Sequence, residues 1–296
     1  MSDPTVDLSG DDSEPDAIIN PIAEPFVEVP DTDATSDLVT MEATEAGVVT
    51  VTLNRPEKKN AFDFALIGAL RETFETLRDQ EKIRVVFVQG AGGTFSAGAD
   101  LEWMRDAIEH TEEDNREDAM QMAIMLKHLY DIPALTVALV EGGGFGGGAG
   151  LAAACDMGIA VKGARFSFSE VKLGLIAATI SPYVIAAVGQ RRARRLFASG
   201  EVFDADKALA FGLIDEVVAD AEALAAAKAR ISQSQLACSP GAVGESKRLV
   251  GEVVGREIDH ALLVHTAKRI AAQRVSEDGQ AGVRAFLDGR KAPWAE

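Results

Sequence analysis

Short apolar runs alternate with helical patterns over the first two thirds of the body of the chain. Four runs rich in Val, Ile, Leu and Ala predict strands, at residues 48–53, 85–88, 134–140 and 157–161. The run at 134–140 is continuously apolar, which predicts a strand buried on both faces. Apolar residues at helical spacing predict helices over 62–77 and 113–130, and small residues predict a short helix over 151–155.

From Arg191 to the C-terminus the pattern is nearly all helical, with breaks at Gly200, Gly212, Pro240 and Gly289. Alternating strands and helices followed by helices alone predict an α/β core with a helical C-terminal region. We place the core at residues 37–234 and the helical region at residues 235–296.

The negative charge is concentrated at the N-terminus. The net charge is −18, no Lys or Arg precedes Arg55, and the first 45 residues carry 13 of the 47 acids. Residues 1–36 also hold five of the ten prolines, which predicts a disordered acidic tail. Because phosphate binding needs clustered bases, this balance argues against nucleic acid as a partner.

The chain shows no apolar run long enough to span a membrane and no basic, apolar start of a secretory signal. Its two cysteines cannot form a disulfide framework, so a reducing, cytoplasmic location is expected. The four histidines show no metal-ligand spacing, so no metal is expected.

Two glycine-containing turns, at 95–101 and 142–150, each follow an apolar strand. Glycines before a helix leave its first backbone N–H groups accessible, and those groups can hold an anion or a developing oxyanion. The alternative is that the glycines only permit close helix packing. The second turn also fits the dinucleotide fingerprint, but the next strand ends at Lys162 without the required acid, which argues against that reading.

Several motifs occur in a characteristic order. They are Leu53–Asn54–Arg55–Pro56 with Asn60–Ala61, Ser96–Ala97–Gly98–Ala99–Asp100, Phe145–Gly146–Gly147–Gly148 with Cys155–Asp156, Phe166–Ser167–Phe168–Ser169–Glu170, and Phe286–Leu287–Asp288–Gly289–Arg290. Over residues 40–296 the chain resembles the crotonase, or enoyl-CoA hydratase/isomerase, superfamily. The resemblance implies a crotonase-like ββα spiral core, an acyl-CoA thioester as substrate with no separate cofactor, and a C-terminal region that forms homotrimers or hexamers.

The resemblance also implies roles for individual residues. The backbone N–H groups of Ala99 and Gly147 would hold the thioester oxygen, and Glu170 would be the catalytic acid–base group. Further substrate contacts are implied for Ala97, Ala99, Asp100, Leu101, Glu102 and Gly147. Lys291, in a C-terminal helix, would contact a CoA phosphate; the alternative is that it is a solvated lysine.

One departure from the family pattern bears on the reaction. Hydratases of this family typically use two glutamates, and the first falls on Gly150 here. With Gly150, the segments 100–104 and 180–184 resemble bacterial methylglutaconyl-CoA hydratases of leucine breakdown and their isoprenoid-degrading relatives. We therefore expect a lyase that hydrates a 2-enoyl-CoA, with 3-methylglutaconyl-CoA as the leading candidate. The alternatives are an enoyl-CoA isomerase, for which one carboxylate suffices, and a catalytically silent acyl-CoA-binding scaffold.

Overall fold

The computed structural model describes residues 37–80 and 82–295, so the predicted tail at 1–36 lies outside the described residues. The strands are β1 (Val39–Ala43), β2 (Val48–Leu53), β3 (Val85–Gly90), β4 (Leu135–Val140), β5 (Gly143–Phe145), β6 (Met157–Val161), β7 (Arg165–Ser167), β8 (Phe203–Asp204) and β9 (Glu216–Val218). The helices are α1 (Phe64–Arg78), α2 (Leu101–Asp106), α3 (Glu112–Asp131), α4 (Gly147–Ala154), α5 (Ser181–Val188), α6 (Gln190–Ser199), α7 (Ala205–Phe211), α8 (Ala221–Leu236), α9 (Pro240–Val253), α10 (His260–Val275) and α11 (Glu277–Leu287).

The strands form two sheets. The larger sheet has the order β1-β2-β3-β4-β6-β9, and only the β1–β2 pair is antiparallel. The smaller sheet has the order β5-β7-β8, with β5 parallel to β7. Because successive parallel strands need a crossover, helices α1 and α3 connect β2 to β3 and β3 to β4.

Side chains of the larger sheet point alternately into two hydrophobic clusters. Val86 and Val88 of β3 join the cluster that contains α1 and α3, whereas Val85 and Phe87 join the cluster covered by α8. Alternation along a strand places neighbouring residues on opposite faces, so the sheet is packed on both sides. The prediction that 134–140 is buried on both faces is confirmed, since every residue from 136 to 140 is buried.

Two expectations about elements need correction. The helix expected at 151–155 begins earlier, at Gly147, inside the glycine run. The region after Arg191 is not purely helical, because β8 and β9 interrupt it. These strands have only two and three residues, too short for an apolar alternation to be recognised.

The C-terminal region consists of α9, α10 and α11 followed by a short 3₁₀ turn, Pro293–Ala295. Lys291 lies between α11 and that turn, so the expectation that it is in a helix is wrong. Exposed apolar side chains, including Val275, Phe286 and Leu287, cover part of this region. No helix within residues 37–80 and 82–295 is long and apolar enough to cross a membrane.

Candidate active site

The two glycine-containing turns of the sequence lie against each other. Ser96 N–H donates to the carbonyl of Gly143 at 3.2 Å, and Phe145 N–H donates to the carbonyl of Ser96 at 3.1 Å. The Ser96 hydroxyl is buried and donates to the carbonyl of Asn60 at 2.8 Å. These bonds fix the loop after β3 to the segment that leads into α4.

Ala99 presents a backbone N–H that is not used within this arrangement. Its neighbours are engaged: Phe62 N–H donates to Gly98 O at 2.7 Å, and Asp100 N–H donates to Phe62 O at 2.8 Å. Among the residues described, none accepts a hydrogen bond from Ala99 N–H. Gly98 has φ +90°, and a Cβ there would lie 2.7 Å from Phe145 O, so glycine is required to bring the two turns together.

The N-terminus of α4 supplies the second free donor. Gly146 precedes the helix with φ +50° and provides no capping side chain, and its own N–H donates to Ser167 O at 2.8 Å. Gly147 is the first helical residue, and the first N–H groups of a helix have no acceptor within that helix. The helix dipole adds positive potential at the same point.

Glu170 lies beside this helix start, in the 3₁₀ turn Glu170–Leu173. Its Oε1 atom is 3.1 Å from the position that a Cβ on Gly146 would take. Its Oε2 atom is buried and has no hydrogen-bond partner among the described residues. Burial raises the pKa of this carboxyl above its ordinary value, because the charged form loses solvation.

A cavity of about 940 Å³ brings these groups together, with Ala99, Gly147 and Glu170 in its wall. Much of the remaining wall is apolar, and its members include Phe62, Trp103, Met104, Ile108, Met122, Leu175, Ile176 and Ile180. Arg105, Asn115 and Asp118 add polar groups on the side formed by α2 and α3. The indole Nε1 of Trp103 is buried and also lacks an acceptor among the described residues.

The position of the missing family glutamate is filled from another element. Gly150 is buried in α4, and a Cβ there would lie 2.1 Å from Cγ2 of Ile180. Ile180 is 2% exposed and also lines the cavity. A side chain at position 150 is therefore excluded unless Ile180 moves, so the single glutamate reflects a repacked wall.

The residues expected to bind substrate separate into two groups. Ala99, Leu101, Gly147 and Glu170 line the cavity, whereas Ala97, Asp100, Glu102 and Lys291 do not. The Asp100 side chain is 3% exposed and accepts hydrogen bonds from Glu102 N–H and Trp103 N–H, so it caps α2. Glu102 is exposed and pairs with Lys58 at 3.1 Å.

Arg55 and Asn60 support the site, although sequence reasoning assigned them no role beyond the family motif. Arg55 pairs with Asp100 at 3.0 Å and with Asp63 at 3.0 Å. Burial opposes the charged form of Asp100, but the N–H donors of α2 and the Arg55 guanidinium together lower its pKa. Asn60 donates to Thr94 O at 2.6 Å and to Ala91 O at 2.9 Å, which holds the loop before Ala99.

A second cavity, of about 1020 Å³, also has Glu170 in its lining. Arg191, Arg194 and Arg195 of α6 line it together with apolar residues such as Leu175 and Phe197. These arginines belong to the basic run Arg191–Arg192–Ala193–Arg194–Arg195, so this cavity combines positive charge with an edge formed by Glu170. Within the described ranges, no group of three His, Cys, Asp or Glu side chains could hold a metal ion.

Comparison with known proteins gives a consistent result. The family model for enoyl-CoA hydratase/isomerase matches residues 43–296. The crystal structure of an enoyl-CoA hydratase from Shewanella pealeana is 39% identical, covers 87% of this chain and 96% of its own, and has a TM-score of 0.83. The structure of Pseudomonas aeruginosa AtuE is 35% identical, covers 88% of this chain and all of its own, and has a TM-score of 0.84.

Among curated sequences, the enoyl-CoA hydratase AKT6-1 of Alternaria alternata is 31% identical over 253 residues, which is 83% of this chain and 80% of that protein. The α/β fold with its parallel-rich sheet and the two opposed glycine turns agree with these matches. This chain belongs to the enoyl-CoA hydratase/isomerase family, the crotonase superfamily. It is therefore an enzyme of the hydratase/isomerase kind.

Proposed function

We propose that this protein is a hydro-lyase that adds water to a 2-enoyl-CoA thioester, with 3-methylglutaconyl-CoA as its substrate. The observation that carries the proposal is the position of Glu170 beside two unengaged backbone donors in the wall of one cavity. A carboxyl group with a raised pKa, in the same cavity wall as two unengaged backbone donors, is suited to proton transfer at a carbon activated by a thioester.

The backbone donors stabilise the charge that develops during the reaction. When water adds to C3 of the enoyl group, electrons move to the thioester oxygen and form an enolate. The N–H groups of Ala99 and Gly147 donate to that oxygen, and each such donor is typically worth about 3 kcal/mol of barrier. Because both are backbone groups held by neighbouring hydrogen bonds, they need no reorganisation during the step.

Glu170 carries the proton in this mechanism. As the carboxylate it removes a proton from water while the water oxygen bonds to C3. As the acid it then gives a proton to C2, which restores the carboxylate and completes the hydration. One group therefore serves both steps, and Ile180 occupies the space that a second glutamate would need.

The cavity mouth and the assembly complete the proposal. Ala97, Leu101 and Glu102 are exposed at the start of α2, where they would border the pantetheine and adenine of CoA. Lys291 is exposed and lies outside this cavity, so a contact with CoA phosphate would come from a neighbouring subunit of a trimer or hexamer. The exposed apolar residues of the C-terminal helices support such an assembly.

A second candidate is double-bond isomerisation, which the replacement of the second carboxylate by the Gly150–Ile180 contact favours. Isomerisation moves a proton between C2 and C4, and Glu170 alone can do this. A third possibility, an acyl-CoA-binding scaffold, would use the same cavity without turnover.

Incubation with a panel of acyl-CoAs in heavy-oxygen water distinguishes these functions. The panel contains crotonyl-CoA, 3-methylglutaconyl-CoA and a 3-enoyl-CoA, and Glu170→Gln is assayed beside the native protein. We expect heavy oxygen in the hydroxyl group on C3 of the product. The labelled product should form fastest from 3-methylglutaconyl-CoA and should be lost with Glu170→Gln. Double-bond migration without label would refute hydration, and binding without either reaction would refute catalysis.

A further inference from the structure

We propose that Arg105 binds a carboxylate at the far end of the acyl group, so that the enzyme selects dicarboxylic acyl-CoAs. The inference rests on the proposed function, because it concerns the acyl group held in the same cavity. It adds a specificity-determining residue to a site whose reacting end is formed by Ala99, Gly147 and Glu170.

Arg105 is placed at a distance from the reacting end. It lies in the last turn of α2, whose first residue, Leu101, follows Ala99 by two positions. The helix rises about 6 Å from Leu101 to Arg105. Both Arg105 and Ala99 line the cavity, so an acyl group whose carbonyl lies at Ala99 extends along a wall that contains the guanidinium.

The charge of Arg105 has no counter-ion in the described structure. Among the described residues that line this cavity, Arg105 is the one Lys or Arg side chain, and it forms no ion pair with a described acid. The nearby Asp118 carboxylate instead lies 3.7 Å from Nδ1 of His110. Arg105 is exposed, so its guanidinium is accessible to a carboxylate that enters the cavity.

The absence of a second glutamate supports the same preference. A glutamate at position 150 would add a negative charge to the cavity, and like charges repel a substrate carboxylate. Here Gly150 is buried against Ile180, and the Ile180 side chain in the cavity lining is neutral and apolar. Besides Glu170, the acid in the lining of this cavity is Asp118, which lies beside His110, and Arg105 is the cation that would attract a substrate carboxylate.

Binding of two saturated analogues by calorimetry tests the inference without requiring turnover. 3-Methylglutaryl-CoA and isovaleryl-CoA share the CoA and the branched acyl skeleton, and only the first carries a terminal carboxylate. We expect the native protein to bind 3-methylglutaryl-CoA more tightly, and Arg105→Met to reduce that preference by about tenfold to a hundredfold. Arg105→Lys should keep part of the preference, because the charge remains and the planar fork is lost.

Arg116→Met is the matched control, since Arg116 is an exposed arginine of α3 that pairs with Glu113 and does not line the cavity. Its preference should equal that of the native protein. No preference in the native protein, an unchanged preference in Arg105→Met, or equal weakening of both ligands in that variant would each overturn the inference. If the native protein incorporates no label from heavy-oxygen water but still shows the Arg105-dependent binding preference, only the proposed function is overturned.

Discussion

Substitutions at Gly150 and Ile180 test whether the position of the missing glutamate has been closed by repacking. A Cβ at position 150 would lie 2.1 Å from Cγ2 and 2.5 Å from Cβ of Ile180, and both residues are buried. Ile180 precedes α5 and cannot turn away freely, because Val184 N–H donates to its carbonyl at 3.1 Å and its side chain packs in the main hydrophobic cluster. Gly150→Ala should therefore destabilise the protein, because the added Cβ would clash with Ile180.

The expected energies follow from this geometry. Overpacking a core position costs about 1–3 kcal/mol, so Gly150→Ala should lower the free energy of unfolding by at least that amount. Ile180→Ala should cost about 2–5 kcal/mol by leaving a cavity. In the double variant the Cγ2 and Cδ1 atoms that crowd position 150 are gone and only the 2.5 Å contact with Cβ of residue 180 remains, so the combined loss should be smaller than the sum by about 0.5–3 kcal/mol.

Urea unfolding of the native protein, the two single variants and the double variant measures this coupling. Gly68→Ala is the matched control, because Gly68 is in α1 and no atom lies within 4 Å of its would-be Cβ. That change should stabilise the protein by about 0.5–1 kcal/mol. If Gly150→Ala is as harmless as the control, or if the two changes are strictly additive, Ile180 does not close the position.

The same pair of sites tests the catalytic consequence. Gly150→Glu alone should fold poorly. Gly150→Glu with Ile180→Ala adds the second carboxylate after the closest clash, the one with Cγ2 of Ile180, has been removed. The rate of crotonyl-CoA hydration in this double variant then reports the effect of a second carboxylate. Its binding of 3-methylglutaryl-CoA should weaken, because the new glutamate and the terminal carboxylate of the ligand carry like charges. Stronger binding of the dicarboxylic ligand in this variant would contradict the argument.

Three further predictions concern other parts of the molecule. Glu170→Gln should lower turnover by about 10²–10⁴-fold, and near-normal turnover in this variant would assign the proton transfer to another group. In the native protein, turnover should fall as the pH is lowered, because protonation of Glu170 removes the base. The midpoint of that fall should lie above pH 4.5, the ordinary glutamate value. Arg55→Met should lower the free energy of unfolding by about 3–5 kcal/mol in chemical denaturation, because it removes the guanidinium partner of buried Asp100; a change within the range of a surface substitution would show that the pair is not needed. Deleting residues 1–36 should leave turnover and thermal stability unchanged, since the cavity and its donors lie within the described body; a loss of either would show that this segment supports the fold or the site.

The sequence predicted the central strands well because their signals are local. The strands at 48–53 and 157–161 have the expected bounds, and β3 begins at the expected residue, since β-branched runs between turns leave few alternatives. The smaller sheet was not predicted. Its strands have two or three residues and depend on pairing with distant segments, for example Gly143 with Arg165, which no local pattern reveals.

In the site, residues at motif positions were predicted from the sequence, whereas contacts between residues distant in sequence were not. Glu170, Ala99 and Gly147 were predicted from motif positions, and the structure places them at one cavity. The role of the Asp100 side chain in capping α2 and pairing with Arg55 was not predicted, because its motif position does not show where the side chain points and Arg55 lies 45 positions away. Ile180 could not be connected to Gly150 for the same reason, since their contact exists only after α4 packs beside the start of α5.

The absence of a second carboxylate also changes what sets the pKa of Glu170. With two acids in a cavity, each raises the pKa of the other by charge repulsion, and that effect depends on the protonation state of both. Here the cause of the raised pKa of Glu170 is burial, and its Oε2 atom has no described partner. A bound acyl group would displace water from the cavity and increase that burial, so the basicity of Glu170 should rise when substrate is in place. The same carboxyl group is then a stronger base toward water in the complex than in the free protein, which is the condition that a single proton carrier requires.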